Sequence, residues 1–337
     1  MTGDQGVPRS LARPPALRPG DRVAVICASG PVDAGALETG LGALRFAGLD
    51  FVVYPSATEP GSFRDYLAGD DKRRAADLAS ALTDPGISGI VFAMGGYGAQ
   101  RTLECLSWDA IARAGAGVEA GTGTGVDAGA GAGLSPKVLA GFSDVTAILE
   151  AVAVKLGWAS LFGPMPSVPG KDAHYSFGSL LRTLMRPADA TEIRYPDAVT
   201  VTAGVARGVT MGGTLTLLSS SLGTPTSWPA RGGILLLEDV QEEPYRLDRM
   251  LTQLRRSGYL DGVAGIVTGT FTDCGPREEV HEILAERLGD LEVPMLAWAN
   301  VGHGGAFQTF PVGIAAELDA DAGTLRLLDP PLIPPAP

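Results

Sequence analysis

A serine where a strand gives way to a helix, a histidine set among glycines, and two carboxylates closing an apolar run are the residues here whose types suit acyl transfer. Gly141-Phe142-Ser143-Asp144 follows the apolar run Val138 to Ala140 and precedes Val145, Ile148, Leu149 and Val152, which recur at the spacing of one helical face. Ser143 is therefore expected at a helix N-terminus. Backbone N–H groups lack intrahelical partners there and the positive end of the helix dipole gathers, so an oxyanion beside Ser143 would be stabilised. Ser and Asp are also the preferred N-caps, and most serines so placed only cap.

A serine that forms an alkoxide needs a base, and the chain has three histidines. His281 opens the apolar-periodic stretch to Leu288 beside Glu279 and Glu282, and reads as a solvated helix residue. His174 closes a polar connector from Gly170. His303 differs, because Gly302-His303-Gly304-Gly305 strips bulk from around the imidazole after an apolar run, Val293 to Ala299, that reads as a buried strand. Substrate backbone could approach there; the plainer alternative is a histidine in a glycine-rich turn. The acids close the run Gly233 to Leu237 as Glu238-Asp239, at the carboxyl end of a strand, where α/β folds place their sites. Either can orient an imidazole, and spacing does not choose between them. Glu242 and Glu243, before Pro244, read as solvated or capping.

The elements around these residues alternate in the first half of the chain. Strands fit Arg22 to Cys27, Phe51 to Tyr54, Ile87 to Ala93 and Val138 to Ala140; helices fit Ala36 to Ala47, Lys72 to Leu82, Gln100 to Cys105 and Val145 to Leu156. That is the pattern of a doubly wound parallel sheet in an α/β N-terminal domain, residues 17–165. Gly95-Gly96-Tyr97-Gly98 opens a helix but lacks the Lys-Ser/Thr of a P-loop and the full dinucleotide fingerprint. We read these glycines as backbone donors, with Gly96 N–H joining Asp144 N–H as an oxyanion site and Gly95 beside them against the substrate. Residues 166–205 read as a crossover into a second domain, 206–329, of α/β or mixed-β type. Its clearest helix is Tyr245 to Arg255, with Leu247, Met250, Leu251 and Leu254 inward. Arg246 and Arg249 lie off that stripe; the default for each is solvation, although Arg binds carboxylates bidentately and either can recognise a substrate carboxylate. A hairpin fits Ile314 to Leu318 and Thr324 to Leu328. With Ser143 in one domain and Glu238 and His303 in the other, the site is expected between them. Residues 1–16 and 330–337 read as loose tails.

Composition sets limits on partners. A formal charge of −12 over 337 residues argues against nucleic acid or an anionic membrane as a partner, since both require a basic face. Cys27, Cys105 and Cys274 have no metal-ligand spacing and read as reduced thiols of a cytoplasmic protein. Met1 to Pro19 lacks the apolar core of a secretory signal, and no apolar run has the length of a membrane span.

Taken in order, these segments resemble the LD-carboxypeptidase family of serine peptidases, which includes microcin-immunity hydrolases. The resemblance runs from about Leu17 to Asp329, through Leu17-Arg18-Pro19-Gly20-Asp21, Tyr66-Leu67-Ala68-Gly69, Gly95-Gly96-Tyr97-Gly98, Gly163-Pro164-Met165, Gly212-Gly213, Leu237-Glu238-Asp239, Pro244 to Leu251, and Gly302-His303 with Thr309, Pro311 and Gly313. It implies Ser143 as nucleophile, Glu238 as orienting acid and His303 as base, with no metal or cofactor. It also implies a small murein peptide as substrate, losing its terminal D-alanine in cell-wall recycling, or in the microcin-immunity branch an aminoacyl or peptidyl nucleotide; a non-catalytic binding relative is the alternative of another class. The nucleotide reading needs an aromatic platform, for which Trp228 and Trp298 are the candidates. Relatives are often homodimers, and the sequence carries no interface signature of its own. Members often have Arg where this chain has Met94 and Asn where it has Thr214; neither position is expected to touch the triad, while Met94 alters the expected substrate contacts. Ala114 to Leu134, almost wholly Ala, Gly and Thr, reads as a flexible insertion.

Overall fold

Strands buried on both faces need helices on both sides, and the first sheet is built that way. The computed structural model describes residues 9–59, 64–114, 134–166 and 173–335. β1 (Arg22–Ile26), β2 (Asp50–Val53), β3 (Gly89–Phe92), β4 (Val138–Gly141) and β5 (Ser160–Phe162) run parallel in the spatial order β5-β4-β3-β1-β2. The helices between them are α1 (Ala34–Phe46), α2 (Pro55–Thr58), α3 (Asp71–Thr83), α4 (Ala99–Glu104), α5 (Trp108–Ala114) and α6 (Thr146–Leu156). Asp33 and Asp70 start α1 and α3 by accepting the Ala36 and Arg73 N–H groups, so the sequence marks both starts.

The second half builds a mixed sheet. It contains β6 (Glu192–Arg194), β7 (Val199–Thr202), β8 (Val205–Thr214), β9 (Gly233–Val240), β10 (Gly265–Thr272), β11 (Met295–Ala297) and, after β12 (Phe310–Val312), the hairpin β13 (Ala315–Asp319) and β14 (Thr324–Leu327). The order is β6-β14-β13-β8-β9-β10-β11-β7, with β8 to β11 parallel and antiparallel strands on either side. Its helices are α7 (Ala173–Met185), α8 (Leu215–Ser220), α9 (Pro244–Arg256) and α10 (Arg277–Leu288). Leu247, Leu251 and Leu254 of α9 are fully buried, each worth roughly 1.5–3 kcal/mol of apolar transfer. β12 leaves this sheet and pairs antiparallel with β5, so the second half of the chain adds a strand to the first sheet. One core continues between the sheets, from Ile148 and Phe162 to Leu236, Val267 and Phe310.

Three expectations change. The tails are not loose where they are described. Leu11 N–H donates to Gly313 O, Ala16 N–H to Ile333 O and Ile333 N–H to Pro14 O, while Ala16 and Leu332 are buried. Backbone pairing and apolar burial hold 9–16 and 330–335 together. The crossover 166–205 is more than a connector, because it supplies α7 and the strands β6 and β7, whose partners β14 and β11 lie far along the chain. Finally, β9 runs through Glu238 and Asp239 to Val240 rather than stopping at Leu237. Of the insertion, Ala114 ends α5 and Leu134 packs against the core, while 115–133 lie outside the described residues.

Candidate active site

Ser143 stands at a sharp turn. β4 ends at Gly141, and Ser143 begins the short 3-10 turn Ser143–Val145 that leads into α6. Its φ is +60°, in the left-handed region that L residues enter at a cost of about 1–2 kcal/mol. Such a strand-to-helix elbow lifts the side chain clear of both elements and leaves the first N–H groups of the turn without intrahelical partners. A helix-start reading from apolar spacing does not predict that backbone state, since no glycine or asparagine marks it.

His303 meets the serine from the other half of the chain. Its Nε2 lies 3.0 Å from Ser143 Oγ, and its Nδ1 lies 2.7 Å from Glu238 Oε2. The carboxylate fixes the proton on Nδ1, which leaves Nε2 to accept from the serine hydroxyl. Phe142 packs against the imidazole at 4.8 Å between ring centroids, backed by Phe307 and Phe162. Burial by itself lowers the imidazole pKa, but the charge and hydrogen bond of Glu238, with Asp239 behind, outweigh it and leave His303 above its ordinary 6.5.

Alternation along β9 separates the two acids. Glu238 is fully buried; its Oε2 also accepts the His303 main-chain N–H, and its Oε1 accepts the Thr214 hydroxyl. Asp239 faces α8, accepting from Thr216 N–H and hydroxyl at 2.8 Å each. Burial and the neighbouring Glu238 push the Asp239 carboxyl up to about 6. The Thr214 contact corrects the expectation that this position is remote from the triad: β8 and β9 pair in parallel with Thr214 opposite Glu238, which sequence distance conceals. The glycines beside His303 also serve differently than expected. A Cβ on Gly302, whose φ is +107°, would fall 2.2 Å from Glu238 Oε2. One on Gly304 would fall 2.5 Å from Thr270 Cγ2. The space they leave is filled by the protein itself rather than held for substrate.

The glycine loop is tied to the serine turn. Asp144 Oδ2 accepts the Ala99 N–H at 2.7 Å, holding the start of α4 against the elbow, and burial raises the Asp144 carboxyl above its ordinary value. A Cβ on Gly95 would lie 3.0 Å from Ser143 Cβ and 3.2 Å from its Oγ, so the loop backbone passes directly over the hydroxyl. Gly96 follows with φ +95°. Tyr97, half-exposed, meets Tyr66 edge-on at 5.8 Å.

The other named residues are engaged elsewhere. Arg246 reaches Glu242 at 3.5 Å and Tyr245 Oη at 3.3 Å, and Arg249 lies over the Tyr245 ring; both are on the exposed side of α9. His281 is half-buried rather than solvated, its Nδ1 accepting from Trp298 Nε1 at 3.3 Å with the rings stacked. His174 lies in α7. Trp298 is held between His281 and Arg277; Trp228 packs against the core, and its main-chain N–H donates to Glu150 Oε1 at 2.7 Å. Phe142, Phe307 and Thr214 are the site residues that sequence reading missed. Phe142 lay inside the Gly-Phe-Ser-Asp segment, and its position beside the serine was the signal available.

Chemically, a hydroxyl on an imidazole whose far nitrogen faces a buried carboxylate can act as a nucleophile with its own base.

Comparison with known proteins gives the same direction. The LD-carboxypeptidase N-terminal domain matches residues 23–163, and the LD-carboxypeptidase C-terminal domain matches residues 207–318. A putative carboxypeptidase of Streptomyces coelicolor is 44% identical, over 97% of this chain and 99% of its own length. The murein tetrapeptide carboxypeptidase of Pseudomonas aeruginosa is 30% identical, over 89% of this chain and 94% of its own. The solved structure of MccF in complex with glutamyl sulfamoyl guanosine has a TM-score of 0.80 at 21% identity, covering 95% of this chain and 99% of that one, a likeness of fold.

Proposed function

The chain belongs to the LD-carboxypeptidase family, and we propose that it is a serine carboxypeptidase that releases the terminal D-residue of a murein peptide through Ser143, His303 and Glu238. The observation that carries the reading is the continuous run from Ser143 Oγ through His303 to Glu238, with separations of 3.0 and 2.7 Å. Ser143 Oγ attacks the carbonyl carbon of the L-configured centre while its proton passes to His303 Nε2. The N–H groups of Gly96 and Asp144 receive the oxyanion, and Glu238 balances the imidazolium. Collapse breaks the C–N bond, and Nε2 returns the proton to the departing amine of the D-residue. Water, deprotonated by the same nitrogen, then attacks the acyl-enzyme, and the carboxylic product leaves as Ser143 regains its proton.

Gly95 lines the loop over the hydroxyl and belongs to the substrate contacts in this reading. Arg246 and Arg249 are its candidates for a substrate carboxylate, since α9 begins just beyond the strand that bears Glu238. The two units are taken as 17–165, with the nucleophile, and 206–329, with acid and base, the segment 166–205 adding β6 and β7 to the sheet of the second. Among the described residues no helix is long and apolar enough to cross a membrane. We place the protein in the cytoplasm, as a homodimer like many of its family, acting on soluble peptides in peptidoglycan recycling.

The murein reading is preferred to nucleotide hydrolysis because relatives at 30% identity or more carry carboxypeptidase names, and because Trp298 is engaged by His281 and Arg277 while Trp228 packs against the core. The test is to incubate the pure protein with murein tetrapeptide and, separately, with an aminoacyl sulfamoyl-adenylate. Loss of one alanine from the tetrapeptide alone is expected, and cleavage of the adenylate alone would replace this reading with the other.

A further inference from the structure

A carboxylate that is fully buried must have both oxygens supplied with donors, or it takes up a proton. In Glu238, Oε2 receives two donors from His303, its ring Nδ1 and its main-chain N–H. Oε1 receives the hydroxyl of Thr214, itself buried at the end of β8. The Thr214 main-chain N–H donates to Thr146 Oγ1 at 3.2 Å, and Thr146 opens α6 directly after the Ser143 turn. The contacts therefore close a circuit from Ser143 to His303, Glu238, Thr214 and Thr146, and back along the chain to Ser143.

We propose that Thr214 is a positioning residue for the acid, fixing the Glu238 carboxylate with Oε2 toward the imidazole and tying that setting to the helix that carries the nucleophile. The proposal rests on the serine-hydrolase reading above. Valine has the shape of threonine and no donor, whereas serine keeps the hydroxyl at the same atom. With valine, Oε1 is left buried and unpaired, so the carboxylate rotates toward another donor or takes up a proton, and the imidazole loses its fixed orientation. Substrate contacts are untouched, so turnover should fall while KM stays.

The experiment compares wild type, Thr214→Val and Thr214→Ser in the full chain, by kcat and KM on murein tetrapeptide and by the rate at which a serine-directed phosphonate labels the protein. Thr214→Val should lose on the order of ten- to a hundredfold in kcat, the scale of a hydrogen bond to a charged group, with KM nearly constant and labelling slowed in parallel. Thr214→Ser should recover most of both. In a Glu238→Gln background the Thr214→Val change should cost little, because its route of action is gone. Should Thr214→Val not fold, Thr146→Ala removes the acceptor of the Thr214 N–H at the other end of the tie, and should itself slow labelling severalfold; native labelling there refutes the coupling. Native kcat and labelling in folded Thr214→Val, or an equal loss with and without Glu238, overturns the proposal. Wild type that is labelled but inert on the tetrapeptide refutes the substrate reading alone, with Thr214 still decided by labelling. Wild type that is never labelled refutes the serine reading, and this proposal with it.

Discussion

Replacing Gly302 with alanine should disable the site from a position that carries no chemistry. The new Cβ would lie 2.2 Å from Glu238 Oε2 and 2.7 Å from its Cδ, on a backbone held at φ +107°. Ordinary contact between such atoms is about 3.4 Å, so the carboxylate or the loop must shift by ~1 Å. A shift of that size at an acid that orients the base is expected to lower kcat by about a hundredfold. The positive φ adds about 1–3 kcal/mol of folding cost. Gly232→Ala separates the two effects, because Gly232 has φ +70° and nothing within 4 Å of an added Cβ. It should lower the thermal midpoint by a few degrees and leave turnover unchanged. Thermal midpoints and kcat on murein tetrapeptide, measured side by side for both variants, give the answer. If folded Gly302→Ala turns over like wild type, Glu238 is not the orienting acid and the argument from its packing fails.

Further outcomes follow from the triad contacts and from one buried carboxylate outside them. Ser143→Ala, His303→Ala and Glu238→Ala should each abolish most turnover, Glu238 least, and a double variant should be little worse than its worse parent, as steady-state rates of the set would reveal. Activity should fall with acid as His303 protonates, with the midpoint above 6.5 because Glu238 holds it up, and Glu238→Gln should move that limb downward in a pH–kcat/KM profile. The stability linkage has the opposite sign: a raised histidine pKa stabilises the fold fully below pH 6.5, and the gain is lost as pH rises through the folded value. Glu150, buried in α6 with Oε2 unpaired, is pushed by burial from 4.5 to about 7, so Glu150→Gln should stabilise the protein by up to about 3 kcal/mol at pH 8 and by little at pH 4, read by denaturant melts at both.

Local signals made part of this molecule legible. Strand and helix periodicity placed β1 to β4 and α1, α3 and α6 within a residue or two, because each is a contiguous run whose burial repeats at its own period. Ser143, His303 and the pair Glu238-Asp239 stood out because apolar strands and glycines framed them, and only the family resemblance chose Glu238 from the pair. What escaped was set by partners distant in sequence. Nothing near Thr214 signals that β9 will lie beside it with Glu238 in register. Glycines at 302 and 304 looked like space for a ligand, since a sequence does not show which side chain enters the space a glycine leaves. The φ of +60° at Ser143 had no glycine to announce it. β12 is a short apolar run that fits either sheet, and only its pairing with β5 assigns it to the first. The end segments read as tails because they are rich in proline, although residues 9–16 find hydrogen-bond partners around Gly313 and Ile333.

The central claim is that Ser143 cleaves an L–D junction without a metal. Its most direct test is mass spectrometry of murein tetrapeptide and its L-L diastereomer, each incubated in chelator with wild type and with Ser143→Ala. Inverting the leaving residue turns its carboxylate away from its partner beside a fixed nucleophile, and a buried unpaired carboxylate is costly. The account predicts one alanine lost from the L-D peptide with wild type, almost none from the diastereomer, and none with Ser143→Ala. Equal cleavage of both peptides, arrest by the chelator, or persistence in Ser143→Ala would contradict it.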